Sequence, residues 1–259
     1  MLKRSLLFFS LAFTPIVTFS QQTLVYADPN ATYGKAVVLY DQHKYSAAAD
    51  LFQQVSNSIK DAQSTLKVQA DYYAANCSMY LDHEDAVEQM TGFIHKHPQS
   101  PEVHRIYFLL GNYEFEKRRY KKAQIWYAKT EVDYLEPAEV PEYYYKMGFS
   151  CFSRNQQDSA KKYFAEVTDT TSSYYPGATY YYGYIAYTHK NYQTAINSFL
   201  KLRNNADFGK SVPYYIAACY YLEGNYSKAI EYCVPLLDSS ANTASLVNSG
   251  EIQKITAES

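Results

Sequence analysis

The sequence predicts an all-α protein, an α-solenoid of about six helical hairpins. Three observations carry this expectation. Small and apolar residues recur at helical spacing along most of the 259 residues. Glycine and proline number only nine each, too few for a loop-rich β fold. A pattern also repeats along the chain at steps of 34 to 38 residues.

The stretch Gly177–Leu202 shows the unit most clearly. A helix passes through Gly183 and Ala186, a polar turn follows at Thr188–Asn191, and a second helix carries Ala195, Phe199 and Leu202 on one face. Small side chains at Gly183 and Ala195 let the two helices approach closely, and Phe199 fills the seam beyond them. Aligning second helices on Ala48, Ala86, Ala123, Ala160, Ala195 and Ala229 gives steps of 38, 37, 37, 35 and 34. Twelve residues earlier stand Ala36, Ala74, Gly111, Gly148, Gly183 and Ala217, all small. Four residues later stand Phe52, Met90, Tyr127, Phe164, Phe199 and Cys233. Three residues before the alanine, tyrosine recurs as Tyr45, Tyr120, Tyr192 and Tyr226. Helix breakers mark the junctions: Pro98 and Pro101, Pro137 and Pro141, Pro176, and Pro213. Pro235 is expected to kink or end the last second helix.

These columns resemble the tetratricopeptide repeat (TPR). The period and the small–alanine–aromatic arrangement match that family, and Pro98 matches its terminal proline. The resemblance covers about 30–244 and implies a right-handed solenoid. The family's early tryptophan is missing; Tyr107, Tyr144 and Thr179 stand there instead. With its leader, the chain resembles the N-terminal portion of long exported bacterial TPR proteins.

Residues 1–20 read as a secretory signal peptide: Lys3 and Arg4, an apolar run Leu6–Phe13, then small residues before Gln21. Residues 21–29 form a linker, 30–244 the solenoid, and 245–259 a cap helix or the start of a further repeat. The expected location is the periplasm or cell envelope, with outer-membrane association open. The mature chain shows no transmembrane stretch. The formal charge is −2, and removing Lys3 and Arg4 makes it −4, which argues against general nucleic-acid binding. Cys77, Cys151, Cys219 and Cys233 lack CxxC spacing and read as small core residues; a Cys219–Cys233 bond is left open.

The TPR resemblance implies that first helices line a concave groove, with positions three before, one after and four after the small residue facing it. These include Tyr33 and Tyr40, then Phe108, Asn112, Phe115, Tyr145, Phe149, Phe152, Tyr180, Tyr184, Tyr187, Tyr214 and Tyr221. Such an aromatic stripe suits a peptide or protein partner. The same rings also suit packing between adjacent first helices, since thirty tyrosines cannot all be contacts. Only Arg105 and Asn112 offer polar groups for gripping a terminal carboxylate. The basic run Lys117–Lys122, apart from Tyr120, reads as a solvated turn or a docking point for an acidic partner or anionic lipid headgroups. His95 and His97 point away from each other on a helix, so no metal site is expected. No catalytic or cofactor motif appears. The expected function is a non-catalytic envelope scaffold; the alternative is a glycan- or peptidoglycan-binding protein. Self-association stays open.

Overall fold

The computed structural model of the chain describes residues 28–240 and 257, with 235–240 described by backbone alone. The expected leader, nearly all of the linker, and the tail apart from residue 257 lie outside the described residues. Among the described residues there are twelve α-helices and no strand. They pair as α1 (Pro29–Asp41) with α2 (Tyr45–Ser58), α3 (Thr65–Tyr80) with α4 (Ala86–Lys96), and α5 (Glu102–Glu116) with α6 (Tyr120–Tyr127). Then come α7 (Val140–Phe152) with α8 (Gln157–Ala165), α9 (Tyr175–Thr188) with α10 (Tyr192–Lys201), and α11 (Val212–Leu222) with α12 (Tyr226–Ser240). Each helix packs on its neighbours in sequence, so the hairpins stack as an α-solenoid.

The repeating columns form the seam of each hairpin. All six second-helix alanines are buried, as are Phe52, Met90, Tyr127, Phe164, Phe199 and Cys233 one turn later. In three hairpins the aromatic lies directly over the glycine of the first helix. A Cβ on Gly111 would sit 2.4 Å from Tyr127 Cδ1, and one on Gly148 would sit 2.9 Å from Phe164 Cδ1. A Cβ on Gly183 would sit 2.9 Å from the Ser198 Cβ and 3.1 Å from Phe199 Cε1. Glycine here serves close approach rather than an unusual backbone angle.

The turns within hairpins share one geometry that the sequence conceals. His43, Asp82, Arg118, Asn155, Lys190 and Gly224 all have positive φ, between 51° and 76°. In each case the next N–H donates to a carbonyl five residues back: Lys44 to Leu39, His83 to Ser78, Arg119 to Glu114, Gln156 to Cys151, Asn191 to Ala186 and Asn225 to Tyr220. This is the Schellman arrangement, which satisfies carbonyls left over at a helix end. Only the sixth turn uses glycine; the others accept a left-handed side chain to stop the helix at the same place.

Prolines open several first helices, as Pro29, Pro141, Pro176 and Pro213 do in α1, α7, α9 and α11. There the missing N–H is no loss, because no carbonyl awaits it. Of the two outcomes expected at Pro235, an end to the helix is excluded. α12 runs through it to Ser240 instead of ending there; a proline removes one donor and leaves the remaining ladder to continue the helix. Cys77, Cys151 and Cys219 are buried free thiols, so Cys219 and Cys233 are not bonded. Burial pushes the Cys77 and Cys219 thiols up to about 12, which keeps them protonated and unreactive.

Two glycines give opposite expected outcomes. Gly111→Ala drives a methyl into the sealed Tyr127 ring and is expected to cost about 1–3 kcal/mol in urea unfolding. Gly34→Ala, where a Cβ meets nothing within 4 Å, is expected to stabilise α1 by about 0.5–1 kcal/mol. A neutral Gly111→Ala would mean the seam is not tight.

Candidate functional site

The expected stripe divides into two sets with different surroundings. In the three middle hairpins, the positions three before the small residue are covered by the connections between hairpins. Phe108 is 1% exposed, enclosed by Leu135 of the following connection and by Tyr143 and Met147 of α7. It is therefore a core residue and presents no face to a partner. The cause is the longer step at this point: the extra residues, including a single 3-10 turn at Val132–Tyr134, fold back over the hairpin. Tyr145 is likewise met by Tyr174 at 5.4 Å, and Tyr180 is stacked by Phe208 at 4.7 Å. The Tyr145 phenol is pushed up to about 12, by burial first and neighbouring tyrosines second. Tyr180 shifts in the same direction through burial and its hydrogen bond with Tyr215. Both therefore remain protonated hydroxyls.

Positions one and four after the small residue stay half-buried and bridge neighbouring first helices. Phe115 of α5 meets Phe149 of α7 at 5.7 Å. Phe149 and Phe152 meet Tyr181 of α9 at 5.3 and 5.0 Å, and Phe152 meets Tyr184 at 6.0 Å. Tyr184 and Tyr187 then meet Tyr215 of α11 at 5.9 and 5.7 Å. Tyr214 and Tyr221 are half-buried on α11, against Tyr215 and Tyr226. Tyr33 and Tyr40 form a separate group at the other end, packed with Phe52 and Tyr73.

The sequence reading missed the rings that link one hairpin to the next. Tyr73 stacks on Phe52, Tyr181 on Phe164, and Tyr215 on Phe199, with interplanar angles of 14°, 17° and 23°. Each is a first-helix tyrosine resting on the seam aromatic of the preceding hairpin. Tyr143 makes the corresponding contact edge-on to Tyr127, at 89°. The available signal was a tyrosine one or two residues before the small position, as in Tyr73, Tyr181 and Tyr215.

The two polar groups that could grip a terminal carboxylate are occupied. Asn112 donates to Glu142 at 3.0 Å and accepts from the Tyr127 hydroxyl at 2.8 Å. Lys146, also missed, is buried between Glu142 at 2.8 Å and Glu116 at 2.9 Å, over the Phe115 ring. Burial works against its charge, but the two carboxylates outweigh it and hold its pKa above the ordinary lysine value. Arg105 is taken by Glu139 at 3.0 Å and by Glu136 at 3.7 Å. Neither member of the candidate carboxylate grip is therefore available. In the basic run, Arg119 pairs with Glu114 and Lys117 with Asp82, while Arg118, Lys121 and Lys122 are exposed.

The histidines have structural neighbours. His104 stacks on Tyr134 at 4.5 Å. His97 reaches Asp71 at 3.1 Å, and Asp71 also takes Lys96 and the Ser56 hydroxyl, joining α2, α3 and the end of α4. Burial pushes the Asp71 carboxyl up, but hydrogen bonds from Lys96, Ser56 and His97 prevail and hold it below its ordinary 3.8.

Together these features define the class: a solenoid of helical hairpins, with a glycine under an aromatic in the three middle seams. The fold is that of the tetratricopeptide repeat, and residues 81–134, spanning α4 to α6, match the tetratricopeptide-repeat family model. Similar solved structures include the C-terminal part of a TPR repeat-containing protein from Cytophaga hutchinsonii, with a TM-score of 0.60 at 15% identity over 89% of this chain and 88% of that one. YrrB, described as a TPR protein with an unusual peptide-binding site, gives 0.57 at 18% identity over 75% of this chain and 94% of that one. PilF of Pseudomonas aeruginosa gives 0.52 at 13% identity over 89% and 97%. No curated protein matches by sequence. At these identities the likeness establishes the fold. Among the described residues, no helix is long and apolar enough to cross a membrane.

The Asp71 cluster gives a pH expectation. A carboxylate with a depressed folded pKa stabilises above its unfolded value and loses that contribution as pH falls through the folded value. The wild type should therefore lose stability as pH drops below the ordinary aspartate range of about 4. Asp71→Asn should cost about 1–3 kcal/mol at neutral pH and flatten that acid limb in denaturant titrations. Parallel acid limbs would contradict the assignment.

Proposed function

We propose that this chain is a non-catalytic scaffold of the bacterial cell envelope that docks a peptide segment or protein partner on its first-helix aromatic stripe. The TPR fold supports a protein–protein interaction role in general. The observation that carries the finer reading is the row Phe115, Phe149, Phe152, Tyr184 and Tyr187. Phe115, Phe149, Phe152 and Tyr184 touch in sequence across three first helices, and Tyr184 and Tyr187 both meet Tyr215 of α11, yet all five remain only half-buried. Rings already fixed by their neighbours lose little side-chain freedom when a partner covers them. That is the economy a docking surface needs. A peptide-binding site is named for the structurally similar YrrB, which is consistent with this use of the fold. Export rests on the leader-like character of residues 1–20 and on nothing else.

The burial pattern sharpens the choice of variant. Tyr180 is clamped between Phe208 and Tyr215 and belongs partly to the core. Tyr184 and Tyr187 are better probes. In cross-linking from envelope extract, Tyr184→Ala with Tyr187→Ala should lose a partner that the wild type captures. Ile125→Ala, at an exposed site on α6, should retain it, and circular dichroism should match among all three. Equal capture by the double variant would remove the stripe from the account, leaving its rings as packing alone.

A further inference from the structure

A second surface, away from the stripe rings, has the chemistry of a binding site. Two adjoining hollows lie between the N-terminal ends of α3 and α5, with volumes of about 500 and 220 Å³. They share Gln69, Pro101 and Glu102, so they form one stepped cleft. Gln63 and Gln99 line the larger part, and Tyr134 the smaller.

Both cations at the cleft are already paired, Lys96 with Asp71 and Arg105 with Glu139. The Glu102 carboxylate accepts from the Ser100 hydroxyl and has no cation partner among the described residues. Beside it, the side-chain amides of Gln63, Gln69 and Gln99 have no protein partner among the described residues. Each offers two donors and one acceptor. Beside them, Tyr134 is 48% exposed and is braced on its other side by stacking on His104. A flat, supported ring with an open surface is suited to the apolar C–H face of a sugar.

We propose that this cleft binds a neutral saccharide, with Tyr134 as the stacking platform and the three glutamine amides reading hydroxyl or acetamido groups. An anionic ligand would find no unpaired cation here, and an uncharged ligand rich in both donors and acceptors matches the amides, the ring and the Glu102 carboxylate. The site is independent of the stripe, so either assignment can fail without the other.

The test is amide chemical-shift titration of the full mature chain with chitobiose, cellobiose and maltose, and with a capped tetra-alanine peptide as the competing class. At least one sugar should give saturable shifts confined to residues 63–73, 96–105 and 134. Tyr134→Ala and Gln69→Ala should each weaken binding about tenfold or more, whereas Tyr184→Ala should leave it unchanged. Saturation by the peptide instead of any sugar would overturn the ligand class. Absence of saturable shifts with all three sugars, or shifts that persist in both cleft variants, would overturn the site.

Discussion

The structure depends on one close approach: an aromatic side chain of each middle second helix resting on a glycine of its first helix. Tyr127, Phe164 and Phe199 occupy the space that a Cβ on Gly111, Gly148 and Gly183 would need. This sets the interhelical distance and therefore the shape of the hairpin. The same aromatic also serves the next unit, because Tyr181 and Tyr215 lie flat on Phe164 and Phe199. A hairpin in isolation would expose its seam ring on one side. The ring is closed off only when the following hairpin arrives, which is why the units are stable as a stack.

The seam was legible in the sequence because helix contact leaves little choice of side chain. A small residue, an alanine twelve later and a large residue four beyond that are the three requirements of two crossing helices. The places of the turns were legible, but their backbone conformation was not. Arg118, Asn155 and Lys190 adopt left-handed backbone angles without a glycine to announce them. Sorting the tyrosines was beyond the sequence for another reason. Phe108 and Phe115 have the same helical setting, and the course of residues 128–139 together with Tyr143 and Met147 of α7 decides that the first is sealed. Lys146 was missed because a charge on a helix reads as solvent-facing until Glu116 of α5 is seen to join Glu142 of its own helix around it.

The candidate surfaces follow from how the hairpins are joined. Where a connection is long, it folds over the first helix and removes rings from the surface, as Leu135, Tyr174 and Phe208 do. Where first helices meet directly, rings bridge them and keep part of their area exposed. The stepped cleft arises where the 3-10 turn brings Tyr134 beside the start of α5. One architectural feature, the length of the connection, thus decides which aromatics are core and which face outward.

The most direct measurement is a double-mutant cycle between Phe164 and Tyr181, using Phe164→Leu, Tyr181→Leu and both together in equilibrium unfolding. If the seam ring is shared between hairpins, the two changes should couple by about 0.5–1.5 kcal/mol. Strict additivity would show that Phe164 serves its own hairpin alone, and that the stack is held together by something other than these shared rings.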